Sequence, residues 1–336
     1  MTGSADRGLR YLSAADVTAA MPPLDERLRL AERTMVALVH DAELPPKIGV
    51  HPRPSGSFAH AMPAHLRSSG DGEGGDLLGI KWIAGFPPNA AQGLPAIHGL
   101  VILSNPVTGE PQAILDAGPV TAERTAAISG VAIEHWAPRP TDRPVRVAIL
   151  GAGVQARSHL PVLAHVLPGL ELTIFDRHPE RSEAVADLAR ATPGIASATR
   201  VDTAPAATSA ADLVVTVASF TSPDQRQSLT DDWLAPGAMV VAVDYATYVA
   251  ASVTRNAGLF LVDQREQFVA NRDAGNFDGY PDPAATMGEA ILAGTAAPDR
   301  GRVVVSHLGV GLADLVFGDA ILRRALDAGL GTVLPG

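Results

Sequence analysis

Hydrophobic and polar positions divide the chain into two textures. Leu24, Leu28, Ala31, Met35 and Leu38 recur every three or four residues, with Asp25, Glu26, Arg27 and Arg29 between them. That spacing places the apolar side chains on one face of a helix, which Pro45-Pro46 stops. From 47 to 115 the apolar runs shorten to 58–62, 77–83, 99–103 and 111–115, separated by turn signals. Asn105-Pro-Val-Thr-Gly109 is a hairpin-type turn, and 67–75, rich in Ser and Gly, reads as a flexible surface loop. Strands joined by such short turns predict a largely antiparallel or mixed sheet. A helix is expected over 121–136, its start carrying Arg124-Thr125 in the first turn, followed by the proline-rich junction 138–144. Beyond it the pattern changes to strand and helix in alternation. Strands are expected at 145–150, 171–176, 212–217, 238–243, 259–263 and 303–306, with a closing helix at 314–328 that returns to the first domain. Alternation of this kind predicts a doubly wound parallel sheet. The expected class is α/β: a Rossmann-type doubly wound parallel sheet over 121–314, plus a mixed-sheet α+β domain from 1–120 and 315–336.

The junction between the first strand and helix of the second region carries a specific chemistry. Val145-Arg-Val-Ala-Ile-Leu-Gly-Ala-Gly-Val-Gln-Ala156 runs from a buried strand into a glycine turn and then a helix. Gly151 permits the tight turn, Gly153 leaves the backbone open to a pyrophosphate, and Ala156 keeps helix and strand close. The unpaired N–H groups opening the helix attract anions. A second strand ends in Asp176 about 20 residues later, the spacing of a carboxylate that accepts hydrogen bonds from the adenosine ribose. Asp176 favours NAD and opposes a 2′-phosphate, whereas Arg177, His178 and Arg181 could hold one. NAD is the expected cofactor, with NADP the alternative.

Composition narrows the function classes. With 36 Asp and Glu against 26 Lys and Arg, the net charge of −10 lacks the basic face of a general nucleic-acid binder. The chain has no cysteine, which removes disulfides, thiolate zinc sites and cysteine nucleophiles together and suits a cytoplasmic protein. Residues 1–7 lack the charged and apolar regions of a signal peptide, and no apolar run reaches the roughly 20 residues of a membrane helix. Neither a nucleic acid nor a membrane is an expected partner.

Lys81 stands inside an apolar strand pattern, Gly79-Ile-Lys-Trp-Ile83, where lysine is rare. One reading is an edge lysine whose stem covers apolar surface while its head reaches water. The other is a cation that holds a substrate carboxylate or exchanges a proton with an amino or imino nitrogen. Arg124 could likewise fork onto a carboxylate, or lie on the surface of its helix, and Thr125 could donate to a phosphate. His51, His60, His65 and His98 fall in the sheet region without metal-ligand spacing, so no metal is expected. One or two of them could line a pocket.

Several motifs in order carry a resemblance: Met62-Pro-Ala64, Gly79-Ile-Lys81, Gly93-Leu-Pro95, Thr108-Gly109, Arg124-Thr-Ala-Ala127, Gly151-Ala-Gly-Val-Gln-Ala156 and Gly311-Leu-Ala-Asp314. Over nearly its whole length the chain resembles the ornithine cyclodeaminase/μ-crystallin family. Lys81-Trp-Ile83 with Phe86-Pro-Pro-Asn89 is similar to the branch that includes N-(2-amino-2-carboxyethyl)-glutamate dehydrogenase. The resemblance implies an NAD(P)-dependent enzyme acting on amino acids or cyclic imines, and a homodimer whose first domain supplies the dimer sheet and the substrate pocket. It implies that Lys81 and Arg124 grip the substrate carboxylate, with Lys47 where the family often has an arginine. Lysine keeps that charge but loses the fork. Thr125 and the turn Gly151, Gly153, Val154 and Gln155 would hold the pyrophosphate, and Asp176 and Arg177 would meet the ribose. Cyclodeaminases carry an aspartate after the fifth strand of the nucleotide domain, where this chain aligns Ala246, with Asp244 two residues earlier. The leading expectation is therefore an amino-acid dehydrogenase or imine reductase, with Lys81 and Asp244 as candidate catalytic groups. A cyclodeaminase and a non-catalytic NAD(P)H-binding protein are the alternatives.

Overall fold

The computed structural model describes residues 8–54, 56–67, 75–219, 221 and 223–335. Most of the glycine-rich loop expected at 67–75 and the N-terminal residues 1–7 lie outside them. In chain order the elements are β1 (Leu9–Leu12), α1 (Ala14–Ala19), α2 (Leu24–His40), β2 (Ala42–Glu43), β3 (Ile48–Val50), β4 (Phe58–Leu66), β5 (Leu77–Gly85), β6 (Ile97–Ser104), β7 (Pro111–Asp116) and α3 (Ala117–Trp136). There follow β8 (Arg146–Leu150), α4 (Val154–Val166), β9 (Leu170–Phe175), α5 (Pro179–Arg190), β10 (Ile195–Arg200), α6 (Ala204–Thr208), β11 (Leu213–Thr216), β12 (Met239–Ala242) and α7 (Ala251–Arg255). The chain closes with β13 (Leu259–Val262), α8 (Arg265–Asp273), β14 (Ala285–Thr286), α9 (Met287–Leu292), β15 (Val303–Ser306), α10 (Gly311–Asp327) and β16 (Thr332–Leu334).

These elements form two compact units, one of residues 1–124 with 310–336 and one of residues 125–309. The sequence pattern had set the divisions at 120/121 and 314/315. Arg124 and Asp314 both fall in the first unit, where they bond to each other.

The first unit is built on a mixed sheet ordered β16-β1-β7-β6-β5-β4-β2, with β3 beside β4. Only β1 and β7 run parallel; the remaining neighbours are antiparallel. Met62, Lys81, Val101 and Leu115 form one cross-strand row, and all four are buried on the face covered by α10. Gly311 allows that covering, because a Cβ there would stand 2.5 Å from the Met62 carbonyl oxygen. Leu-Leu-Gly-Ile-Lys-Trp-Ile in β5 is apolar on both faces, so the opposite face keeps Ile80, Leu100, Ile102 and Ile114 half-buried and Trp82 44% exposed.

The second unit is a wholly parallel sheet ordered β10-β9-β8-β11-β12-β15-β13-β14. The order moves outward from β8 in both directions, which is the doubly wound arrangement expected from the alternating pattern. Strands β11, β12, β13 and β15 are buried at every residue, which explains why they read as continuous apolar runs. Strand β10, Ile-Ala-Ser-Ala-Thr-Arg, is a largely polar edge strand and had no such signal. Ligands of such sheets bind beyond the carboxyl ends of the strands, beside the switch between β8 and β11.

Candidate active site

In the first unit, β5 delivers Lys81, α3 delivers Arg124 and the first turn of α10 delivers Asp314. The Lys81 ammonium lies 2.7 Å from Asp314 Oδ2, and Arg124 Nε lies 3.1 Å from Oδ1. Lys81, Arg124 and Asp314 are 1%, 4% and 0% exposed. Lys81 is therefore no edge lysine with its head in water: β5 lies between β4 and β6, and α10 covers its face. Burial, reinforced by the Arg124 charge, lowers its pKa to about 8, although Asp314 partly opposes the shift. Burial acts to raise Asp314, but Arg124 and Lys81 outweigh it and hold the carboxylate below its ordinary value. The group carries two cations against one anion, so a desolvated positive charge remains for a further carboxylate. In the sequence Asp314 belongs to the Gly311-Leu-Ala-Asp314 motif, and no local feature marks its carboxylate as part of a site.

Around this group the histidines separate. His60 stacks on Phe58 with ring centroids 4.6 Å apart, and these rings lie over Gly49 and Gly85, their cross-strand neighbours on β3 and β5. Burial lowers the His60 pKa to about 4, with further contributions from the charges of Lys47, His51 and Lys81. Its ring is thus neutral, on the same sheet face as Met62 and diagonal to Lys81. Lys47 is half-buried in the segment leading into β3. His65 instead faces Asp76 at 3.6 Å, and His98 is exposed. Among the described residues no group of three or more His, Cys, Asp or Glu could hold a metal ion.

The second unit contains a cleft at the carboxyl ends of its strands, lined by Gly151 to Gly153, Asp176, Arg177, His178, Arg181, Val217 to Ser219, Thr247 and Tyr248. Gly151 has φ +110°, and a Cβ on it would stand 2.8 Å from the Val217 backbone, so glycine is required there. Gly153 caps α4, and a Cβ on it would meet nothing within 4 Å. Among the described residues no side chain caps the helix start, leaving its N–H groups to an anion. Val154 is exposed and Gln155 half-buried in the first turn of α4. Asp176 accepts the backbone N–H of Ala152 at 2.7 Å and of His178 at 2.8 Å, which fixes its carboxylate against the glycine turn, while Arg177 is exposed. An open glycine backbone, an uncapped helix start and an oriented carboxylate fit a dinucleotide.

One sequence-based placement differs, the start of the helix that carries Arg124 and Thr125. Helix α3 starts at Ala117, directly after β7, where Asp116 accepts the Gly118 N–H at 2.8 Å. Arg124 and Thr125 therefore lie past its second turn, and the Thr125 N–H is not one of the free groups at a helix start. Thr125 is buried and does not line the cleft. Asp244 follows β12 and is 3% exposed, and neither of its carboxyl oxygens meets a donor at hydrogen-bonding geometry among the described residues. Burial raises its pKa to about 7, against a smaller opposing influence from Thr216 and the nearby backbone of Ala218 and Tyr248. The next two residues, Tyr245 and Ala246, have φ of +52° and +60°, a left-handed pair without glycine. Ala246 is wholly buried in the hydrophobic core of the second unit and is not among the residues that line the cleft.

The profile of the ornithine cyclodeaminase/mu-crystallin family matches residues 12–320. The chain is 32% identical over 332 residues to the nodulation efficiency protein NfeD of Rhizobium meliloti, covering 97% of this chain and 98% of that one. Among solved structures it is similar to the Delta(1)-pyrroline-2-carboxylate reductase of Thermococcus litoralis in complex with NADH and L-proline, with a TM-score of 0.83, 22% identity, and coverage of 97% and 100%. An archaeal alanine dehydrogenase dimer with bound NAD gives a TM-score of 0.82 at 24% identity, over 97% and 98% of the two chains. The family match spans nearly the whole length and takes in Lys81, Arg124, the glycine turn and Asp314: the chain belongs to the ornithine cyclodeaminase/mu-crystallin family.

Proposed function

We propose that this chain is an NAD(P)-dependent oxidoreductase acting at the Cα of an amino acid or imine, as an amino-acid dehydrogenase or imine reductase. The observation that carries the reading is the buried group of Lys81, Arg124 and Asp314, which leaves a net positive charge away from water. Arg124, with Lys47 at the margin, holds the substrate carboxylate. Lys81 shares that anchoring and exchanges a proton with the substrate nitrogen, a task suited to a lysine titrating near 8. Asp314 fixes both cations in direction and keeps the site at one excess charge rather than two. A bound nicotinamide supplies or accepts the hydride. Gly151, Gly153, Val154 and Gln155 receive the pyrophosphate, and the oriented Asp176 accepts from the ribose hydroxyls, favouring NAD over NADP, with Arg177 beside it. Thr125 on α3 and Asp244 after β12 are the remaining candidates, for the pyrophosphate and for proton transfer, and both are as deeply buried as Arg124. The name of the pyrroline-2-carboxylate reductase, an imine-reducing relative in fold, agrees with this reaction class.

The partly exposed apolar face carrying Ile80, Trp82, Leu100, Ile102 and Ile114 supports a homodimer formed through the first sheet. No helix among the described residues is long and apolar enough to cross a membrane, and the cysteine-free composition suits the cytoplasm.

Steady-state assays with NADH and cyclic imino acids, or NAD and amino acids, test the proposal. Net change in NADH with a carboxylate-bearing substrate supports it. Ammonia release without net NADH change identifies a cyclodeaminase, and NADH binding without turnover of any such compound identifies a binding protein.

A further inference from the structure

Three buried side chains of the second unit form a hydrogen-bonded chain that the reaction does not use. His159 of α4 contacts the Gln155 carbonyl oxygen through Nδ1 at 2.6 Å and Ser129 Oγ of α3 through Nε2 at 2.8 Å. Ser129 Oγ also contacts Nε2 of His307, the residue after β15, at 2.8 Å. The polarity of this chain follows from its ends. A carbonyl can only accept, so His159 Nδ1 donates to Gln155. Burial lowers the His159 pKa to about 4, so the ring is neutral and Nε2 carries the lone pair. The single Ser129 proton must then go to His159, and the serine oxygen accepts from His307 Nε2–H. For a neutral His159 no other arrangement of protons satisfies all three contacts.

The location of the chain gives it a consequence. The polypeptide passes between its units at Arg124–Thr125 and at Gly309–Val310. Ser129 lies about one helical turn after the first crossing, and His307 lies just before the second. Gly309 is itself held at both backbone groups: its N–H donates to Asp263 Oδ2 at 2.7 Å, and its carbonyl accepts from Gln267 Nε2 at 3.0 Å. Gln155, at the other end, belongs to the first turn of α4. We propose that His159, Ser129 and His307 are positioning residues that tie the start of the cofactor helix to both crossings, so that cofactor binding there is felt by the segments leading to Arg124 and Asp314. The inference rests on reading α4 as the cofactor helix.

Hydrogen–deuterium exchange of the full chain, with and without NADH, tests it. In the unsubstituted protein NADH slows exchange over 151–156 and over 306–314. Ser129→Ala keeps the protection at 151–156 and loses it at 306–314. His307→Gln, which retains a donor toward Ser129, keeps both, and His307→Leu behaves like Ser129→Ala. Undiminished protection of 306–314 in Ser129→Ala overturns the coupling. Failure of NADH to protect 151–156 in the unsubstituted protein overturns the cofactor reading itself, and the coupling with it. Independently of any variant, 15N spectra of the histidine-labelled protein should show the Nδ1–H tautomer for His159 and the Nε2–H tautomer for His307; the reverse pair overturns the assigned polarity.

Discussion

Lys81 and Asp314 form an ion pair of 2.7 Å in which neither side chain has more than 1% of its surface exposed. Such a pair contributes little net stability compared with an apolar replacement, but removing one partner strands the other charge away from water. Asp314→Ala strands two cations, Lys81 and Arg124, and should cost about 3–5 kcal/mol in chemical denaturation. Lys81→Met leaves Asp314 paired with Arg124 and fills much of the same volume, so it should cost less than Asp314→Ala. It should nevertheless abolish turnover while NADH titration by fluorescence stays unchanged. Retained turnover in Lys81→Met would remove the lysine from the mechanism.

The depressed lysine sets the direction of the pH dependence. Lys81 titrates near 8, so it is protonated below that value and neutral above it. Reduction of an imine needs a proton delivered to nitrogen and should decline as pH rises through about 8. Oxidation of an amine needs a base and should rise over the same interval. Opposite limbs in the two kcat/KM profiles, meeting near that pH, are the expected result. Parallel limbs would assign the proton transfer to another group.

Much of this site was legible in the residues, and the illegible part has a physical cause. A lysine within Gly-Ile-Lys-Trp-Ile is visible because the surrounding strand is apolar, and the glycine turn is visible because strand, turn and helix occur together. Asp314 had no local signal for its chemistry: an aspartate in the first turn of a helix is ordinary, and its partner Arg124 lies 190 residues away. Helix α3 starts at Ala117, ahead of the expected 121, because Gly118 and Pro119, which would break a helix interior, are tolerated in its first turn. The first sheet hid its outermost strands for a different reason. Strands β1, β2, β3 and β16 have two to four residues each, too few for alternation to register.

Two glycines of one turn should respond differently to the same substitution. Gly151→Ala places a Cβ against the Val217 backbone at a φ of +110°, so it should destabilise the free protein by at least about 1 kcal/mol. Gly153→Ala has an ordinary negative φ of −88° and open space around the new methyl, so the thermal midpoint should not move. That methyl would stand in the path of the pyrophosphate and should weaken NADH binding about tenfold, equivalent to about 1.4 kcal/mol. Unchanged NADH affinity in Gly153→Ala would place the cofactor elsewhere.

Asp244 offers a test in stability rather than activity. Its pKa is raised by burial to about 7 from an ordinary value of 3.8, so between those values the folded protein binds a proton that the unfolded chain has released. That contribution to stability is fully present below about pH 4 and is lost as pH rises through about 7. Above that, the native state holds a buried carboxylate whose oxygens have no well-placed donor among the described residues. Asp244→Asn keeps the shape of the protonated acid and cannot ionise. The variant should therefore be more stable than the parent at pH 8, by up to a few kcal/mol, with the advantage shrinking toward pH 4. Urea denaturation of both proteins at several pH values measures the difference. A constant offset between the two curves would show that Asp244 remains ionised in the native state throughout, with the influence of Thr216 and the backbone of Ala218 and Tyr248 outweighing burial.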